Sequence, residues 1–164
     1  MDDERVIFLM QQTYATLFSL ANKLQVKGDQ YQKNLTSRQL MVMIAIIHLP
    51  KGEASLNAIA RKMGTTKQSV KQLVALLENR GYLVTAPSLR DKRAVNVALT
   101  PLGDQALIAG GELGLKFFTD LFHDFTPQEM ETLWGLLKKL YRFDGEEQDG
   151  FEEEIHYQPS EGEH

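Results

Sequence analysis

The chain has 164 residues, of which 43% are apolar and 24% charged, with a net charge of −4 and no cysteine. That is the make-up of one soluble globular domain with room for a short appendage, and it excludes disulfides, cysteine nucleophiles and thiolate zinc sites. No apolar run reaches the ~20 residues needed to cross a bilayer. The acidic start Met1-Asp2-Asp3-Glu4 also lacks the basic patch of a signal peptide, so a cytoplasmic protein with no membrane partner is expected.

Val6, Met10, Tyr14, Leu17, Ala21 and Leu24 recur at steps of three and four, which predicts a helix over 4–27. Its acidic first turn suits the helix dipole. Ile7, Phe18 and Leu20 widen its apolar surface beyond one stripe, to be covered either by its own chain or by a partner chain. The polar stretch Gly28 to Asn34 breaks the pattern. Thr36-Ser37-Arg38-Gln39 then reads as a capping box. The helix it opens, 37–49, is nearly continuously apolar and belongs at the centre, and Pro50-Lys51-Gly52 stops it.

A short helix over 55–63 turns Leu56, Ile59, Ala60 and Met63 inward. Gly64-Thr65-Thr66 forms a tight turn with two candidate N-caps. A second helix, about 67–80, turns Val70, Leu73, Val74 and Leu77 inward and ends at Gly81. Two short helices joined by a glycine-containing turn are a helix-turn-helix. After Gly81 the period becomes two, predicting strands over 82–86 and 94–99 around a polar, basic loop. Such a hairpin makes the unit a winged helix-turn-helix.

Thr100-Pro101 places an N-cap before proline at N1 and opens a helix to about 123. Within it, Gly110, Gly111 and Gly114 mark a bend or a close helix contact. Thr126-Pro127-Gln128-Glu129 opens the last helix, about 127–142. From Asp144 onward there are 9 acids and no lysine or arginine, the composition of a flexible acidic tail in which Phe151, Ile155 and Tyr157 are candidate anchors. The expected fold is mainly α with a two-stranded β-wing. It forms a single domain over 1–143, and the tail spans 144–164.

Charge is unevenly spread. Residues 51–101 carry 9 basic and 3 acidic side chains, and residues 102–164 carry 4 and 15. A basic middle is the footprint of a chain that meets a polyanion, although solvated surface charge gives the same count. The start of the 67–80 helix narrows the reading. Thr66, Lys67, Gln68, Ser69, Lys71 and Gln72 line it, with no acid between Gly64 and Leu77. An α-helix fits the major groove, where glutamine pairs with adenine and lysine donates to guanine. Thr66 and Ser69 suit phosphates. The four histidines are scattered, the glycines lie inside a helix pattern, and no nucleophile motif is present. No enzymatic activity, metal site or cofactor is expected.

The stretch from Ala58 to Gly103 resembles the DNA-binding core of the MarR family of bacterial transcription regulators. The likeness lies in Ile59-Ala60, in Val70-x-x-Leu73-Val74-x-x-Leu77-Glu78-x-x-Gly81-Tyr82-Leu83-Val84, and in a wing reading Asp91-Lys92-Arg93-Ala94-Val95-Asn96-Val97-Ala98-Leu99-Thr100-x-x-Gly103. Leu35-Thr36-x-x-Gln39 is also similar, and the element order matches over about 4–142. The resemblance implies that Arg93 enters the minor groove, where negative potential attracts arginine, with Asp91 holding it. Arg90 and Lys92 then contact phosphates. It further implies a helical dimerisation region over about 1–35 and 101–143 and a winged helix-turn-helix over about 36–100. The implied function is a homodimeric regulator, a repressor, on a pseudo-palindromic site, relieved by a small aromatic or anionic effector. The alternative from another class is a winged-helix protein-interaction module without sequence-specific DNA binding, with the acidic tail as its binding element.

Overall fold

A computed structural model describes residues 3–88, 90–145 and 150–159. The helices and strands expected from the sequence form in the expected order. They are α1 (Asp3–Tyr31), α2 (Ser37–His48), α3 (Leu56–Met63), α4 (Lys67–Asn79), β1 (Leu83–Pro87), β2 (Val95–Leu99), α5 (Pro101–Leu121) and α6 (Pro127–Tyr141). The starts of α2 to α6 are fixed by one device. The hydroxyls of Thr36, Ser55, Thr66, Thr100 and Thr126 each accept from the amide three residues on, a bond worth about 1 kcal/mol per helix.

The apolar helix α2 is central, as its composition demands. Val42, Met43 and Ala45 are wholly buried, together with Ile59 of α3 and Val70 and Leu77 of α4. Leu83 of β1 and Val97 of β2 close this core. The strands pair antiparallel, with Leu83 opposite Leu99 and Thr85 opposite Val97.

Helix α1 runs on to Tyr31 instead of ending before Gly28. The polar stretch that broke the sequence pattern carries tertiary bonds. A Cβ on Gly28 would stand 2.6 Å from Ser37 Oγ, so glycine is what lets the end of α1 approach the start of α2. Asp29 accepts from the Ser37 amide at 2.6 Å. The Tyr31 hydroxyl donates to Asp120 at 2.6 Å, and its ring lies 5.1 Å from Phe117. Gly110 makes the close helix contact expected in α5. A Cβ there would meet Leu40 at 2.9 Å, and its carbonyl accepts from Gln32 Nε2 at 3.0 Å.

Residues 150–159 lie against the body, where composition alone suggests a free acidic tail. Phe151 meets His48 edge-on at 5.2 Å and sits 5.8 Å from the Lys62 ammonium. Arg142 Nη2 donates to both carboxylate oxygens of Glu152 at 3.0 Å. The Tyr157 hydroxyl donates to Asp104. Phe151 and Tyr157 are two of the anchors the sequence offered, and Glu152 adds a third.

This contact is expected to depend on pH. Among the described residues, His48 Nδ1 is buried with no hydrogen-bond partner. Loss of water and then the Lys62 charge hold its pKa below the ordinary imidazole value, while Glu153 pulls the other way. The packed state therefore prefers neutral imidazole. Docking is fully favoured above the ordinary imidazole range and weakens as pH falls through it. Trp134, the single tryptophan, lines a small cavity with Phe151. Its emission is expected to shift between pH 7.5 and 5.5 in the full chain. A chain ending at Gly145 is expected to show no shift, and equal shifts in the two chains would disprove the assignment.

Candidate nucleic-acid interface

The reading head is built by the turn between α3 and α4. Gly64 ends α3 in the left-handed region at φ 63°, which glycine adopts without strain. Val70, Val74 and Leu77 are buried and seat one face of α4 on the core. Their spacing leaves Thr66, Lys67, Gln68, Lys71 and Gln72 exposed on the other face. The first turn holds no acid. Ser69 is half-buried, and its hydroxyl accepts from Thr66 Oγ1 at 3.0 Å. The two hydroxyls expected at phosphates thus already bond to one another as part of the helix cap.

The wing presents Arg90, Asp91, Lys92 and Arg93, all exposed. Ser88 Oγ accepts from the Arg90 amide at 3.2 Å, and Ala94 N–H donates to the Asp91 carbonyl at 2.9 Å. Asp91 Oδ1 accepts from the backbone amide of Arg93 at 2.9 Å. The carboxylate thus fixes the loop at Arg93, whose side chain extends from a bonded backbone. Arg90 pairs with Glu53 at 3.3 Å across a solvent-exposed gap, an attraction that is weak and salt-screened.

Two braces on the wing escaped the sequence reading. Glu78 of α4 accepts from Thr85 Oγ1 at 2.7 Å and from its amide at 3.3 Å, joining the reading helix to β1. Asn96 Nδ2 donates to the Gly52 carbonyl at 2.6 Å, and Val97 N–H donates to Ala54 O at 2.9 Å. The extended segment before α3 therefore pairs along β2. A polar asparagine in the middle of an apolar strand is the signal that points to such a brace.

A rigid helix end rich in donors thus stands with a braced basic arm. Chemically, the first suits base edges in a groove about 12 Å wide, and the second suits phosphates or a narrow groove.

Residues 33–94 match the model of the MarR family. Over these residues the winged helix-turn-helix of this chain is similar to that family. A relative described as a transcriptional regulatory protein for the hcr operon of Thauera aromatica is 35% identical over 92 residues. That alignment covers 56% of this chain and 55% of the relative, so the chain spans about half the relative's length. Among solved structures, S. aureus MepR in complex with DNA is 22% identical with a TM-score of 0.68, covering 78% of this chain and 96% of that one. Bordetella bronchiseptica BpsR, whose DNA binding is regulated by 6-hydroxynicotinic acid, is 22% identical with a TM-score of 0.70, covering 79% and 98%. These two share their fold with this chain. No helix among the described residues is long and apolar enough to cross a membrane.

Proposed function

We propose that the chain is a transcriptional regulator, a repressor, that binds double-stranded DNA in a sequence-specific manner as a homodimer. The observation that carries this is the acid-free, exposed N-terminal face of α4 held beside a wing with three basic residues. In this reading Lys67, Gln68, Lys71 and Gln72 meet base edges. The amides at the start of α4, with the Thr66–Ser69 cap, meet a phosphate. Arg93 enters the minor groove, and Arg90 and Lys92 meet the backbone. A protein-interaction module has no use for this basic pair of surfaces. The likeness to MepR, whose structure holds DNA, supports the same choice.

Dimerisation is supported by apolar surface left uncovered. Met10, Tyr14 and Phe18 of α1 are 66%, 73% and 67% exposed, and none of the described residues of α6 is buried. The parts that join the copies are then residues 1–35 and 101–143, with the winged helix over 36–100. A groove of about 990 Å³ between α1, the end of α6 and the Gly64 turn is lined by Leu9, Met10, Tyr14, Phe18 and Leu140. A second copy covers part of it. The remainder, lined mainly by apolar and aromatic side chains, suits an aromatic effector. Relief of repression by such a molecule has the likeness to BpsR as its support.

The test is selection of bound sequences from random duplexes, with sedimentation at micromolar concentration. A species of twice the chain mass is expected, together with a pseudo-palindrome whose half-sites lie one turn, roughly 34–36 Å, apart. A monomer, or no enriched motif, overturns the reading.

A further inference from the structure

The segment 150–159 lies beyond the matched residues 33–94 and touches four helices. At the end of α6, Arg142 holds Glu152 through two 3.0 Å bonds. At the ends of α2 and α3, Phe151 packs on His48 and under Lys62. At the start of α5, Tyr157 donates to Asp104, which is only 3% exposed. Tyr157 also packs on the main core. Between these anchors an open cleft of about 260 Å³ is lined by Lys62 and Met63 of α3, Trp134 and Leu137 of α6, and Phe151. The segment therefore stands between the outer helix and the winged helix, with anchors on both.

We propose that residues 150–159 are a strap that fixes α6 against the winged helix and so sets the angle between α6 and α4. Within one chain α6 packs only lightly on the other helices, so without the strap its angle to α4 is set mainly by the short connection after α5. Glu152 tethers its other end, and Phe151 and Tyr157 lock the strap to the body. That α6 joins two copies and α4 reads DNA rests on the function proposed above; the coupling itself does not. If both hold, the strap limits how far two reading heads stray from one-turn spacing, which raises the effective concentration of the second head at its half-site.

Because the chain has no cysteine, Asn79→Cys in α4 and Glu131→Cys in α6 create a unique pair for spin labels. Labelled chain is diluted into unlabelled chain so that only distances within one chain are read. A narrow distance distribution is expected for the full chain. A broad one is expected both for the Phe151→Ala/Tyr157→Phe double variant and for a chain ending at Gly145, with far-ultraviolet circular dichroism confirming that the helices remain. The point variants keep the test open if the truncated chain does not fold. An equally narrow distribution in either folded variant overturns the strap. Affinity of the variants for a duplex with two half-sites is expected to fall ~3- to 10-fold, with single half-site affinity unchanged. A full chain that binds no duplex at all overturns the proposed function, while the distances still decide the strap.

Discussion

Gly103→Ala is expected to destabilise the chain by about 3 kcal/mol, near the upper end of what overpacking costs. A Cβ at this position would stand 2.0 Å from the carbonyl oxygen of Tyr82. That oxygen belongs to backbone and is already in use, since it accepts from Thr100 N–H at 3.1 Å. The Thr100 hydroxyl donates to Gly81 O at 2.5 Å and accepts from the Gly103 amide at 3.0 Å. Moving Tyr82 aside would drag Leu83, 2% exposed, out of the core. The glycine of the Leu99-Thr100-x-x-Gly103 motif is thus required by a helix start pressed against a strand start. Gly111→Ala is the matched control. Nothing lies within 4 Å of a Cβ there, and alanine in a helix interior is favoured over glycine by about 1 kcal/mol. Thermal melts read the contrast. In a chain of this size 1 kcal/mol moves the midpoint by ~2–4 °C, so the two variants should fall on opposite sides of the parent. A Gly103→Ala midpoint equal to the parent's would show that the α5–β1 junction can relax.

What the sequence makes legible here is periodicity and capping. The turn chemistry of Thr36, Gly64, Thr66, Thr100 and Thr126 is local, so helix starts could be read residue by residue. The inward faces of α3 and α4 follow from spacing, and Val70 and Leu77 are wholly buried as the pattern requires. What escapes is whatever depends on a distant partner. The end of α1 looks like a loop because of Gly28 and the polar residues around it, yet Gly28 and Asp29 meet Ser37 at the start of α2 and Tyr31 meets the distant Asp120. Glu78 reads as ordinary helix surface until Thr85 is placed beside it. In the tail, Phe151 and Tyr157 were legible as candidate anchors, but their partners and the Glu152–Arg142 pair were not. On the candidate interface, the exposed positions were legible from the amphipathic face of α4. The use of the Ser69 hydroxyl in the cap, and the bond from Asp91 to the backbone at Arg93, needed coordinates.

Arg93→Ala and Gln68→Ala are expected to separate the two kinds of DNA contact. Both side chains are exposed, and the bond that shapes the wing runs from the Arg93 backbone amide to Asp91, so truncating Arg93 leaves the loop intact. A guanidinium drawn into a narrow groove answers mainly to negative potential, and a lysine or arginine on phosphate carries no base identity. Losing Arg93 should therefore weaken binding to cognate and random duplexes alike, by ~10-fold at low salt. It should also reduce the slope of log affinity against log salt by about 1. Gln68 lies in the first turn of α4, capped by Thr66, where a side chain reaches base edges. Its loss should leave the salt slope unchanged and remove ~1–3 kcal/mol of discrimination at one position in each half-site. Titrations of cognate, single-substitution and random duplexes at two salt concentrations read both effects. An Arg93→Ala chain that binds random DNA as tightly as the parent removes Arg93 from the interface. A Gln68→Ala chain with the parent's preference at every position removes Gln68 from base recognition and leaves Lys67, Lys71 and Gln72 to carry it.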